Sequence, residues 1–296
     1  MGSGFYSVAS ASTRAVSYKM RSKEQNFKER SLDKEMDLRD AVREARDSED
    51  HPNSFPIIIA LDVTGSMGSI PQDLITNSLP KIMSKIMEEG VADPQLLFLG
   101  IGDHYYDEAP VQVGQFESSD ELIEKWLMKT FIEGGGGPND GESYFLAWYI
   151  AARHTSTDSF EKRGQKGVLI TIGDEPTLKS ITKADLKKFG FSEQGEVTAE
   201  NILAEAKEKW EVYHINVMDH AGNRYHTKEE WKNLMKSAYG NTEHYIETQS
   251  SDGSDVPNII AGIIAKEYSS TGTSKASQPE SSTSPEVPEF EVNPYL

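Results

Sequence analysis

Phe55-Pro56-Ile57-Ile58-Ile59-Ala60-Leu61-Asp62-Val63-Thr64-Gly65-Ser66-Met67-Gly68 runs from an apolar segment into a cluster of oxygen donors. Residues 56–61 are continuously apolar and rich in Ile, as in a strand buried on both faces of a parallel sheet. Gly65 and Gly68 let the backbone curl after that strand. Residues 71–89 then predict a helix. Ser69 is placed to cap it and Pro71 suits its first turn. Ile75, Leu79, Ile82 and Ile86 follow at spacings of 4, 3 and 4 and mark its buried face. Pro80 lies inside the helix and should bend it.

The alternation continues outward. Strands are predicted at residues 96–101, 111–116, 167–172, 212–217 and 244–248. Helices are predicted at 120–129, 143–153, 184–189, 198–210, 228–239 and 256–268. Strands alternating with helices predict a three-layer α/β fold, a central, mostly parallel sheet with helices on both faces. The four Trp residues, Trp126, Trp148, Trp210 and Trp231, fall on helical segments and read as core.

Upstream, residues 1–20 are small and polar and read as a flexible arm. Residues 31–46 read as a solvated, partly docked helix, with Ser31 as cap and Glu35–Arg39 as a supporting pair. A second reading of residues 31–46 is a partner-binding arm that orders on contact. Residues 47–54 read as a linker. Beyond residue 268 the chain is rich in Ser, Thr, Pro and Glu and should be disordered, with Phe290 to Leu296 as a potential docking peptide. The division is therefore 1–54 (arm and helix), 55–268 (folded domain) and 269–296 (tail).

The chain has 30 Lys and Arg against 48 Asp and Glu, a net charge of −18, and no Cys. Residues 1–50 carry ten basic and ten acidic side chains, whereas residues 51–268 carry 19 and 34, so the excess lies in the domain. Such a charge argues against nucleic acid, which needs a basic face, and against anionic membranes. The lack of Cys removes thiolate metal sites and cysteine nucleophiles. No apolar stretch is long enough to cross a bilayer. The first residues lack the pattern of a secretory signal and miss a myristoylation site at Tyr6. The expected setting is the cytoplasm, or a virion if the gene belongs to a phage.

In an open α/β sheet, ligands bind beyond the carboxyl ends of the strands. Asp62, Thr64 and Ser66 leave the first strand there. Asp174, in Gly173-Asp174-Glu175-Pro176, leaves the strand at 167–172. Between them, Gly134-Gly135-Gly136-Gly137-Pro138-Asn139-Asp140-Gly141-Glu142 enters a helix with Asn139, Asp140 and Glu142 as donors. These are hard oxygens, suited to Mg²⁺, Mn²⁺ or Ca²⁺. The alternative is a tight turn and helix cap that hold no metal.

With these residues the chain resembles the von Willebrand factor A (vWA) family, in its intracellular bacterial and phage-like branch, including modules found beside alpha-kinase domains. The metal-ion-dependent adhesion site of that family is Asp-x-Ser-x-Ser, a Thr in a second loop and an Asp in a third. Asp62, Thr64 and Ser66 match the first part, with Thr in place of the first Ser, and Asp174 matches the third. No Thr stands in the glycine loop, so Asn139 or Asp140 would take its place. The resemblance covers roughly residues 55–268. It implies a vWA-like domain in which Thr64 and Ser66 ligate the cation directly and Asp62 and Asp174 act through bound water. A remaining coordination position would accept a carboxylate of a partner protein. The implied activity is cation-dependent protein binding, not catalysis. The tail could supply that carboxylate in cis through Glu289, Glu291 or the terminus of Leu296.

Two rival functions are weighed against this one. The first is a structural or assembly component, such as a phage particle protein, with arm and tail as contacts and a vestigial metal site. The second is a metal-dependent hydrolase, which lacks a spare general base. A nucleophile elbow would need Gly where Thr64 stands, and there is no P-loop. His214, His220 and His226 fit no zinc spacing. His214 reads as a packed strand histidine, and Asp219 and His220 as residues at the rim of the site. Asp103, His104 and Asp107 read as a hairpin turn.

Overall fold

The computed structural model describes residues 4–134, 137–139, 141–217, 225–249 and 253–272, with Tyr225 described by its backbone alone. Six strands form the main sheet: β1 (Phe55–Asp62), β2 (Pro94–Ile101), β3 (Val111–Val113), β4 (Gly167–Gly173), β5 (Trp210–Asn216) and β6 (Tyr245–Glu247). Their order across the sheet is β6-β5-β4-β1-β2-β3. β3 runs antiparallel to β2 and all other pairings are parallel. This is the doubly wound order, in which the chain moves outward from β1 in one direction and from β4 in the other.

Alternate residues of β1 serve the two faces. Ile57, Ile59 and Leu61 join one core, and Ile58 and Ala60 join the other. The first core is covered by four helical elements: α1 (Val8–Lys19), α2 (Leu79–Glu88), α3 (Asp120–Met128) and, from the C-terminal end, Val256–Ser270. The second core is covered by α4 (Phe145–Arg153), α5 (Ala199–Lys209) and α6 (Tyr225–Tyr239). The three-layer α/β architecture follows. Val256–Ser270 is α7. Trp126, Trp148, Trp210 and Trp231 are all buried. Two short ladders lie outside the sheet, one pairing Arg43–Ala45 with Thr155–Thr157 and one pairing Ser180–Ile181 with Val197–Thr198.

Three segments depart from the sequence expectations. The region read as a flexible arm contains α1, capped by Ser7 and seated on the body of the chain. Ala11, Ala15 and Tyr18 face the interior. Arg14 pairs with Asp120 and with Glu124 (2.6 Å to Oε2), and the Tyr18 hydroxyl also donates to Glu124 (2.9 Å). Residues 31–46 form turns and the strand Arg43–Ala45 instead of a helix. Arg39 adopts a left-handed φ of 50°, Arg43 donates to the carbonyls of Glu35 and Val113, and Lys129 takes Asp33 and Glu35. Contacts to distant elements have replaced the local pair that favoured a helix.

The helix after β1 is not simply bent at Pro80. It runs as Ile70–Asp73, a π-helical turn Leu74–Ser78, and then α2. Pro80 lacks an N–H and its ring crowds the carbonyl four residues back, so the backbone widens by one residue. The Asp73 carboxylate ties the wide turn together by accepting from the side chains of Asn77 (2.6 Å) and Ser78 (2.5 Å).

Candidate metal centre

β1 and β4 are neighbours in the sheet, yet the chain leaves them in opposite directions. A crevice opens above their carboxyl ends, the place where doubly wound sheets bind ligands. Asp62 ends β1, and Asp174 follows directly after β4. The Asp62 carboxylate is fully buried. Its Oδ1 accepts from the Thr64 N–H (2.8 Å) and the Thr64 hydroxyl (2.6 Å), and its Oδ2 accepts from the Tyr144 hydroxyl (2.6 Å). The Ser66 hydroxyl donates to Asp174 Oδ1 at 2.9 Å and lies 3.3 Å from Thr64 Oγ1. Two hydroxyls and two carboxylates from two strand ends thus form one connected set.

Lys23 touches the first loop at Gly68 O (3.4 Å), and no described ion pair joins a basic residue to Asp62. Burial, with Asp174 beside it, pushes the Asp62 carboxyl up to about 7. Burial with Asp174 and Asp62 nearby likewise raises Glu175 to about 7. Glu142 is pushed up to about 10 by burial and by the charges of Asp62, Asp107, Asp103 and Glu175. Buried carboxylates in mutual repulsion are the electrostatic condition that a divalent cation relieves. Among the described residues no three His, Asp or Glu side chains converge tightly enough to hold a metal by themselves. The Asp62 set differs in drawing half of its donors from hydroxyls.

The structure brings together Asp62, Thr64, Ser66 and Asp174. No described hydrogen bond joins Asn139 to them; its Nδ2 is buried without a hydrogen-bond partner and its Oδ1 lies beside Gly137. Asp140, Asp219, His220 and the tail residues Glu289, Glu291 and Leu296 lie outside the described residues. Among the described residues of the glycine loop, Glu142 lies close enough for its carboxyl to feel the charge of Asp62. Its backbone is stapled to the Asp174 loop, with its N–H donating to Pro176 O (3.0 Å) and its carbonyl accepting from Leu178 N–H (2.8 Å). Its side chain is only 6% exposed, and its Oε2 has no hydrogen-bond partner. His214 is a packed histidine, stacked on Trp231 at 3.6 Å and bonded to Thr171.

Tyr144 lies at the start of the helix expected over 143–153, and nothing in the sequence pattern marks the hydroxyl that holds Asp62. A clue does exist at Gly173. A Cβ built there falls 1.7 Å from the Tyr144 hydroxyl. Gly173→Ala is therefore expected to drive Tyr144 off Asp62 and to destabilise the domain by about 1–3 kcal/mol. Gly195→Ala is the control, since a Cβ there meets nothing within 4 Å. Urea denaturation of both variants checks this, and equal stability of the two would contradict it.

The sequence matches no protein-family model and no curated protein. Solved structures with a similar fold include the pilus adhesin SpaC from Lactobacillus rhamnosus GG in its open conformation, at 13% identity and a TM-score of 0.49 over 76% of this chain. The chain spans about a third, 31%, of that adhesin's length. A von Willebrand factor type A structure from Catenulispora acidiphila is similar at 12% identity and a TM-score of 0.43, covering 73% of this chain and 43% of that one. BatB from Bacteroides thetaiotaomicron is similar at 16% identity and a TM-score of 0.41, covering 74% and 99%. Among the described residues no helix is long and apolar enough to cross a membrane.

Proposed function

We propose that the domain is a vWA-type, cation-dependent protein-binding module whose metal site is Asp62, Thr64, Ser66 and Asp174. The observation that carries the reading is the junction of two hydroxyls and two carboxylates at the sheet's switch point, bonded to one another in one connected set. Hard oxygens of this kind suit Mg²⁺, Mn²⁺ or Ca²⁺. Thr64 and Ser66 present hydroxyls as direct ligands. Asp62 and Asp174 hold those hydroxyls in place and contribute charge through bound water. Tyr144 fixes the orientation of Asp62. Glu142 takes the place of the second-loop Thr, a role its buried and unpartnered carboxylate oxygen suits better than Asn139. The bound cation supplies positive charge and a coordination position for a partner's carboxylate. Every donor serves this one set, so the site is adhesive and not catalytic.

Thermal unfolding in EDTA and in saturating Mg²⁺, Mn²⁺ or Ca²⁺ tests the reading. At about a hundred times the dissociation constant, a cation bound only by the native state should raise the melting temperature by roughly 5–10 °C. Thr64→Ala with Ser66→Ala should remove that shift. An unchanged melting temperature with all three cations would contradict the proposal.

A further inference from the structure

The loop between β2 and β3, residues 102–110, sits against the candidate metal centre. Its carbonyl at Gly102 accepts from Ser143 N–H (3.1 Å), and His104 N–H donates to the Ser143 hydroxyl (2.9 Å). Val63 N–H, one residue past Asp62, donates to Ile101 O (2.9 Å). The loop therefore lies beside both the first site loop and the Glu142 segment. It presents two aromatic side chains to solvent, Tyr105 at 59% and Tyr106 at 55% exposure. The Tyr106 ring covers Gly137 of the glycine loop, where a Cβ would fall 2.2 Å from it. Among the large hydrophobic side chains described as exposed, the other aromatic is Phe5.

Charge is segregated around these tyrosines. Residues 47–80, 86–124, 130–152 and 167–178 contain no Lys or Arg, and they include every loop of the site described above. Asp103, Asp107, Glu108 and Glu133 flank the tyrosines. Asp107 Oδ2 accepts from Asp103 N–H (2.7 Å), and Glu133 accepts from Glu108 N–H (2.7 Å). None of the four has a described ion pair, whereas Lys188, which faces His104 from the far side, is taken by Asp185. Asp103 Oδ2 is fully buried with no hydrogen-bond partner, as is Glu142 Oε2. Negative charge is thus concentrated around the two tyrosines, with no described ion pair to these four carboxylates.

We infer that Tyr105 and Tyr106 form the partner-contact surface beside the metal, and that the partner segment is an acidic residue flanked by Lys or Arg. The inference rests on the cation-binding reading and adds to it the identity of the flanking contacts. Two adjacent solvent-facing tyrosines supply rigid contact area and faces for cation–π contact. The four flanking carboxylates favour basic side chains and repel an acidic segment that would otherwise compete for the metal.

Short synthetic peptides provide the test: a central Asp flanked by Lys, the same Asp flanked by Glu, and a central Asn flanked by Lys. Their binding is read by fluorescence anisotropy in saturating Mn²⁺ and in EDTA. The Lys-flanked Asp peptide should bind in Mn²⁺ at least about tenfold more tightly than the other two, and more weakly as salt rises. Tyr105→Ala with Tyr106→Ala should weaken it about tenfold while leaving calorimetric Mn²⁺ affinity unchanged, and the double Phe variant should retain it. Equal affinity for the two flanking sequences, an unaffected Ala variant, or no peptide binding to Mn²⁺-loaded protein would overturn the inference and leave the metal site standing. A wild type that takes no cation would overturn both.

Discussion

Asp62→Asn is expected to lower divalent-cation affinity by at least about a hundredfold and, in EDTA, to make the protein more stable than the wild type. The first effect follows because Asp62 orients Thr64 by two hydrogen bonds and supplies charge to the site. The second follows from the cost of its burial. Its carboxyl ionises near 3.8 in the unfolded chain and at about 7 in the folded one. Between those values the native state holds more protons than the unfolded state, so stability falls as pH rises through that window. The Asn side chain carries no such charge. The gap between variant and metal-free wild type should therefore widen as the pH rises from 4 to 7. Glu175, raised to about 7, and Glu142, raised to about 10, add to the same slope, and because the Asp62 charge is part of the cause of both shifts, their contribution shrinks in the variant and widens the gap further. Urea denaturation in EDTA at several pH values reads the gap. A variant less stable than the wild type across the window would show that Asp62 is a structural cap.

Arg14→Ala carries the other large effect. Arg14 reaches Asp120 and Glu124, both almost fully buried, and is itself partly exposed. Its removal leaves two buried carboxylates without their cation. Breaking a pair of this kind costs about 3–5 kcal/mol. The guanidinium is shared between two acids, so Lys, with a single point charge, should recover only part of the loss. The Tyr18 hydroxyl would still donate to Glu124, which limits the damage. Denaturation midpoints of Arg14→Ala and Arg14→Lys check the expectation. A loss below about 1 kcal/mol would mean that α1 rests loosely on the domain, as an arm would.

This contrast shows what a single sequence reveals. The sheet was legible because strands buried on both faces must be continuously apolar, and β1, β2 and β4 each are. The ends of those strands were legible too, because oxygen donors directly after an apolar run stand out. That is why Asp62, Thr64, Ser66 and Asp174 could be placed together. α1 was not legible as part of the body. Its anchoring pairs join residues more than a hundred positions apart, and its inward residues, Ala11 and Ala15, are small. Residues 31–46 misled for the same reason, since a local Glu35–Arg39 pair was available to the sequence and Lys129 was not visible as its competitor. Within the glycine loop, the sequence does not show that the Glu142 backbone bonds to the loop after Asp174, at Pro176 and Leu178. Tyr144 was hidden by chemistry: an aromatic at the start of an apolar helix looks like core, and only its hydroxyl reaches Asp62.

The central claim is that four side chains from two strand ends hold a divalent cation. Calorimetric titration of Mg²⁺, Mn²⁺ and Ca²⁺ into EDTA-stripped protein tests it most directly, with Asp62→Ala and Asp174→Ala run alongside. The account predicts one cation per chain bound by the wild type and none by either variant, with all three proteins still folded by circular dichroism. No binding by the wild type, or equal binding by all three, would contradict it.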